Sequence, residues 1–217
     1  MPVKLKICGM KYPDNIREIA GLKPDYLGFI FYDRSPRYFE GDMPEVPREI
    51  KKTGVFVNAT VREIAEKVGR FGLQAVQLHG GETAAYCREL REALPGTEII
   101  KVFSVKDKFD FGQLFPFEDT ADYFLFDTRG KHPGGNGYTF DWKVLKDYPS
   151  GKPFFLSGGI GPEEGNNVLE FLSSPEYGNV AGLCHAVDVN SRFETAPGYK
   201  NTGKLKEFKS KILCQHQ

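Results

Sequence analysis

Eight short β-rich runs recur along the chain, at about residues 4–8, 26–31, 54–58, 75–79, 98–103, 122–127, 153–157 and 181–189. Their carboxyl ends stand roughly 22 to 31 residues apart, the length of one strand, one crossover helix and two turns. Several of the intervals read as helix. Pro13 to Ala20 places Ile16, Ile19 and Ala20 on one face, with a proline at the start and Gly21 as a stop. Thr60-Val-Arg-Glu63 is a capping box leading into Val61, Ile64, Ala65 and Val68 at helical spacing. Residues 83–94 bring Tyr86, Cys87, Leu90 and Leu94 together, so Cys87 reads as helix packing. Pro162 opens a further helix and residues 201–213 form the last, whereas the intervals after strands two, five and six carry weaker signals. Eight strands alternating with about eight helices, without a Ser/Pro-rich linker, have one economical solution. It is the (β/α)8 TIM barrel, read here as one domain over 1–213 with 214–217 as a tail. A doubly wound open sheet is the alternative, but it has fewer strands as a rule and a point where strand order reverses.

The 217 residues, 40% hydrophobic and 27% charged, are enough for a single sizeable core. Lys plus Arg equals Asp plus Glu at 29 each, so no global field draws the chain to nucleic acid or an anionic membrane. An anionic ligand must be held by local features. The sequence has no apolar run near 18 residues and no secretory pattern, which points to the cytoplasm. Cys8, Cys87, Cys184 and Cys214 are scattered without a CxxC pair, as are His79, His132, His185 and His216, so neither a disulfide framework nor a metal site is expected.

In a barrel of this kind chemistry sits at the carboxyl ends of the strands. Read in order, those ends are Cys8, Phe31 with its loop, Asn58, His79, Phe103-Ser104, Asp127, Ser157-Gly-Gly159 and Asp188. Alternation along a strand sends Leu5 and Ile7 one way, and Lys4, Lys6 and Cys8 the other. The same parity turns Val76 and Leu78, Phe124 and Phe126, and Val187 and Val189 towards the helices. Gln77, His79, Leu125, Asp127 and Asp188 then face the barrel axis. A cysteine on a strand is by itself more often packing than chemistry. At a mouth, on the face of Lys6 and roughly 6–7 Å from it, Cys8 becomes a candidate base whose thiolate the ammonium would favour.

Three loops add to this. Ser157-Gly-Gly-Ile160 and Asp188-Val-Asn-Ser191 end strands seven and eight, where barrels often hold phosphate, although a glycine pair also suits a plain tight turn. Phe31 to Tyr38 carries Arg34 and Arg37, either a solvated loop or a grip for a carboxylate. Asp127 to Gly137 is a long glycine-rich loop, by its length a functional lid or a disordered segment, with Asp127 at its root as a candidate general acid if burial raises its pKa. As a phosphate loop it lacks the Lys-Ser/Thr ending.

Taken together, Lys6-Ile-Cys-Gly9, Gly28-Phe-Ile-Phe-Tyr32 with Ser35-Pro-Arg-Tyr38, Gly54-Val-Phe-Val-Asn58, Val76-Gln-Leu-His-Gly80, Phe126-Asp-Thr128, Gly134 to Trp142, Leu156-Ser-Gly-Gly-Ile160 and Val187-Asp-Val189 resemble the phosphoribosylanthranilate isomerase family. The resemblance runs in order from residue 4 to about 200. It implies an Amadori rearrangement of a phosphosugar amine in tryptophan biosynthesis, with no cofactor or metal, in a monomer or homodimer. By match to the family, Asp127 is the acid that opens the ribose ring and Cys8 the base at carbon 2. Arg37 is the partner of the anthranilate carboxylate, and Gly158, Gly159, Asn190 and Ser191 hold phosphate. His79 and Asp188 join the substrate-binding set, the role of His79 left open. Unperturbed Asp near 3.9 and Cys near 8.5 both stand on the wrong side of pH 7 for these roles, so each pKa needs tuning. Two departures stand out. The family's Ser-Ser-Gly-Val-Glu reads Asn190-Ser-Arg-Phe-Glu194, placing Arg192 where a glycine is usual, and the seventh loop, Gly161 to Asn167, is longer. Among rivals, an indole-glycerol-phosphate synthase needs lysine and glutamate at particular mouths, and a ribulose-phosphate epimerase needs a His/Asp metal set. A non-catalytic phosphosugar-binding barrel would have lost Cys8 or Asp127.

Overall fold

A computed structural model describes residues 3–106, 108–128 and 141–213. Its eight parallel strands close in chain order: β1 (Lys4–Ile7), β2 (Tyr26–Ile30), β3 (Lys51–Phe56), β4 (Ala75–Leu78), β5 (Glu98–Val105), β6 (Tyr123–Thr128), β7 (Phe154–Leu156) and β8 (Cys184–Val189). β8 pairs back onto β1, with Lys6 beside Asp188, so no sheet edge is left. The barrel and the parity of its strands are as expected. Leu5, Ile7, Val76, Leu78, Phe124, Phe126, Val187 and Val189 pack towards the helices. Tyr26, Ala75, Ile100, Val102, Leu125, Phe155 and Ala186 fill the interior. At the amino-terminal end the Tyr26 hydroxyl meets His185 Nε2 at 2.9 Å. A polar layer is left at the carboxyl ends.

The α-helices are α1 (Pro13–Ala20), α2 (Val61–Phe71), α3 (Ala84–Ala93), α4 (Gly165–Ser173), α5 (Gly178–Gly182) and α6 (Thr202–Leu213). The expected capping box is formed at Thr60 and Glu63, and Gly72 ends α2 in the left-handed region at φ 58°. Six α-helices among the described residues, not about eight, surround the barrel. The segments Phe111–Phe117 and Trp142–Asp147 are 3₁₀ turns instead. Pro116 lies inside the first and denies it a helical hydrogen bond. Between β2 and β3 no helix is described, in a stretch broken by Pro36, Pro44 and Pro47. Two strands begin three residues from where they were expected. β3 starts and stops earlier than its apolar run, leaving Asn58 beyond its end at φ 54°, and α5 takes the first part of the run from 181. Past β8 lies a short hairpin absent from the sequence reading, β9 (Glu194–Ala196) with β10 (Tyr199–Lys200). The tail 214–217 lies outside the described residues.

Candidate active site

Cys8 follows β1 directly and is buried, its amide donating to the Val189 carbonyl of β8 at 2.8 Å. It has room because β2 carries Gly28 beside it. A Cβ at 28 would lie 2.8 Å from the sulfur and 3.0 Å from Cys8 Cα. Lys6, two residues earlier on the same face, is wholly buried and donates to Asp188 Oδ1 at 2.7 Å, while Ser157 Oγ donates to Asp188 Oδ2 at 3.1 Å. Burial pushes the Cys8 thiol above its ordinary range. Lys6 is the largest opposing influence, Asp188 adds to the rise, and Lys200 pulls down. Burial would also lower Lys6, but Asp188 and the cysteine outweigh it and hold the ammonium charged. The expected pull of Lys6 towards the thiolate is present, and burial opposes it. Lys6 shares its charge with Asp188, and desolvation by burial is the larger influence on the thiol.

Asp127, near the end of β6, is buried and accepts from the Thr128 amide at 2.9 Å through Oδ1. Its other oxygen, Oδ2, is 3.3 Å from His79 Nε2. The far side of that ring, Nδ1, is 3.3 Å from Gln77 Nε2 on β4. His79, whose role the motifs left open, is thus the direct neighbour of the candidate acid. The turn after it is pinned by Glu82, which accepts from the Asn58 and Gly80 amides and pairs with Lys101 at 2.9 Å. Of the glycine-rich loop rooted at Asp127, residues 129–140 lie outside the described residues.

Arg37 and the phosphate-loop residues enter the same cleft, which Cys8, His79, Asp127, Gly158, Gly159, Asn190 and Ser191 also line. Gly158 and Gly159 have φ of 92° and 70°, and a side chain at 158 would collide with Thr128. Both are required by the turn itself. Arg192 lines the cleft beside them and forms an ion pair with Glu163 of the seventh loop, tying the two candidate phosphate loops together. Arg34 is exposed and does not line the cleft. Asp188, expected to touch substrate, has its two oxygens engaged by Lys6 and Ser157. Arg37, expected to meet a substrate carboxylate, is met here by Glu194 of the hairpin, with Nη2 to Oε2 at 2.7 Å. Glu194 in turn pairs with Lys200 at 2.6 Å. Neither was read as a site residue: Glu194 closes the Asn190–Glu194 motif but was given no role there, and Lys200 lies on a two-residue strand with no periodic signal.

Residues 5–211 match the family model described as N-(5′-phosphoribosyl)anthranilate (PRA) isomerase. The N-(5′-phosphoribosyl)anthranilate isomerase of Parabacteroides distasonis is 42% identical, over 96% of this chain and 93% of that one. Two solved structures share the barrel, each over 97% of this chain and 98% of theirs. One, a phosphoribosylanthranilate isomerase in complex with reduced 1-(o-carboxyphenylamino)-1-deoxyribulose 5-phosphate, is 28% identical with a TM-score of 0.77. The other is a monomeric form of the dimeric enzyme from Thermotoga maritima, 27% identical with a TM-score of 0.72. A cleft that gathers a thiol, a carboxyl group, an arginine and a glycine pair suits that reaction, and with the match along nearly the whole barrel the chain belongs to the N-(5′-phosphoribosyl)anthranilate isomerase family, the isomerases of tryptophan biosynthesis.

Proposed function

We propose that this isomerase converts N-(5′-phosphoribosyl)anthranilate to 1-(2-carboxyphenylamino)-1-deoxyribulose 5-phosphate with Asp127 as general acid and Cys8 as general base. Protonated Asp127 gives its proton to the ribose ring oxygen while the anilino nitrogen lone pair breaks the bond from carbon 1 to that oxygen, leaving an iminium. Thiolate Cys8 removes the proton from carbon 2, and the electron pair moves into the enolamine. Tautomerisation then returns one proton to carbon 1 and releases one from the carbon-2 hydroxyl. The cycle thus closes with the acid protonated and the base deprotonated. Phosphate rests against Gly158, Gly159, Asn190 and Ser191, and the anthranilate carboxylate against Arg37.

The observation that carries this reading is the convergence of these groups on one cleft at the carboxyl ends of the strands. Water would stabilise the thiolate, and burial withholds it. The iminium supplies a compensating positive charge next to carbon 2, so the base is favoured when substrate is in place. His79, 3.3 Å from Asp127, is the group through which the acid recovers its proton. All these side chains come from one chain, so a monomer or a homodimer can perform the reaction. No described helix is long and apolar enough to cross a membrane, and Cys8, Cys87 and Cys184 are free thiols. Both suit the cytoplasm as the working compartment.

The test follows the fluorescence of the anthranilate amine as substrate is lost. Cys8→Ser and Asp127→Asn are expected to lower kcat by at least about a hundredfold while still binding the reduced product analogue. Near-normal rates in both variants would overturn the acid and base assignments, and a folded wild type that fails to turn over would overturn the activity.

A further inference from the structure

Two of the ligand contacts assigned above, Arg37 and Asn190, lean on the same buried side chain, which the reaction itself does not call for. Lys200 of β10 has a wholly buried ammonium that donates to Glu194 Oε1 at 2.6 Å and to Asn190 Oδ1 at 2.7 Å. Its backbone is clamped by Asn15 of α1, which donates to the Lys200 carbonyl at 2.9 Å and accepts from its amide at 2.7 Å. Glu194 accepts from Arg37 Nε at 2.9 and 3.0 Å and from Nη2 at 2.7 Å. One edge of the guanidinium is therefore closed by Glu194, and the edge formed by the two terminal nitrogens is left for a ligand carboxylate. An ammonium has donors and no acceptor, so Asn190 must turn its oxygen to Lys200 and keep its N–H donors for the cleft it lines. Arg37 and Asn190 also pack over the same residue. A Cβ at Gly9 would lie 2.8 Å from Arg37 Cδ and 2.6 Å from Asn190 Oδ1.

We propose that Glu194 and Lys200 are a positioning pair that sets the open edge of Arg37 and the amide orientation of Asn190 together, coupling the carboxylate and phosphate ends of the substrate site. The proposal rests on the ligand roles assigned to Arg37 and Asn190 in the preceding section. Without Glu194 the partly exposed Arg37 guanidinium and the buried Lys200 ammonium would lose the carboxylate they share. Without Lys200 the Asn190 amide could present either end. The triad carries a net single positive charge into a site for a carboxylate and a phosphate, so it attracts both ends as well as orienting their partners.

The pair also predicts a pH response. Burial lowers the Lys200 ammonium to about 8, Glu194 and Cys8 opposing the drop and Arg37 adding to it. The groups that face it are Glu194 of β9, Arg37 from the loop after β2, Cys8 after β1 and Asn190 after β8, with Asn15 of α1 on its backbone. Above that pH the amine gains a lone pair that can accept from Asn190, and the amide loses its fixed sense. Substrate carboxylate and phosphate are already fully ionised there.

Affinity for the reduced product analogue, for inorganic phosphate and for anthranilate would be measured from pH 6.5 to 9.5 in Cys8→Ser, which removes the thiol's own titration. Turnover would be followed in parallel in the Cys8 enzyme. Dissociation constants are expected to hold to about pH 8 and to weaken about tenfold by pH 9, in step with the loss of the charged form. Lys200→Met in the same background should weaken phosphate and anthranilate together at pH 7 and flatten the alkaline rise. In the Cys8 enzyme it should raise KM, with a smaller fall in kcat as the thiol loses the pull of Lys200. A pH-independent affinity up to 9.5 overturns the proposal without any variant that has to fold, and so does a Lys200→Met protein that weakens one half-ligand only or keeps the alkaline rise. Arg37→Ala that keeps full anthranilate affinity would instead overturn the ligand role assigned to Arg37.

Discussion

Replacing Lys6 by Met and Asp188 by Asn separates what the buried pair does for the fold from what it does for the thiol. The two groups are 2.7 Å apart and 0% and 6% exposed. Removing the lysine alone leaves Asp188 as an uncompensated buried carboxylate, with only the Ser157 hydroxyl, at 3.1 Å, still donating to it. Breaking such a pair costs about 3–5 kcal/mol. At roughly 2–4 °C per kcal/mol for a domain of this size, the midpoint of thermal unfolding should fall by about 6–20 °C. The double variant Lys6→Met/Asp188→Asn removes the stranded charge and should regain much of the loss, giving a measurable interaction energy in the cycle. The thiol should respond with opposite signs to the two single changes. Lys6 is the largest influence opposing the rise of Cys8, so Lys6→Met pushes the thiol further up. Asp188 contributes to the rise and engages the ammonium, so Asp188→Asn lets it come down. Thermal melts give the first readout and the pH dependence of Cys8 alkylation the second. A loss under 1 kcal/mol in Lys6→Met, or thiol shifts of the same sign in both variants, would refute the reasoning.

Two further outcomes follow from packing and from protonation. Gly28→Ala puts a methyl 2.8 Å from the Cys8 sulfur and 3.0 Å from its Cα. It should destabilise by about 1–3 kcal/mol and lower kcat by about a hundredfold through misplacement of the base, readable as a melt and a turnover number. At the opposite end of the barrel burial lowers His185 from 6.5 to about 4, with Lys4 and Lys51 adding to the drop. The unfolded chain takes up this proton first, so stability is complete above about pH 6.5 and is lost as pH falls towards 4. The drop at full value is about 3 kcal/mol, which partial exposure screens to about 1–2 kcal/mol. Urea midpoints between pH 6.5 and 4.5 should fall in the wild type and fall less in His185→Gln.

How much of the site could be read in advance depended on whether a residue's role follows from its own strand. Parity placed Cys8, Asp127 and Asp188 correctly, since a side chain's face is settled by counting along the chain. Lys200 was missed because its strand is too short for any period to show, and Glu194 was seen at the end of a motif without the Arg37 contact that the fold gives it. His79 was located but given no role, because its contact with Asp127 spans two strands that are not neighbours in the sheet. Among the described residues no α-helix stands after β2, β5 or β6, the intervals with weak signals, and Pro116 lies inside the turn after β5.

The recurrence of strand and helix signals determines the barrel, because eight units of that length close only when each strand pairs with the next and the last with the first. Counting residues along each strand likewise determines which side chains reach the mouth. What acts on the Cys8 thiol among them was decided only by the tertiary structure. Lys6 stands two residues from Cys8 in the chain, which suggested that its ammonium favours the thiolate, and closure of β8 onto β1 brings Asp188 to the same ammonium. Burial then outweighs the help that Lys6 can give. Desolvation depends on everything packed around a group, and a linear sequence holds only its neighbours along one strand.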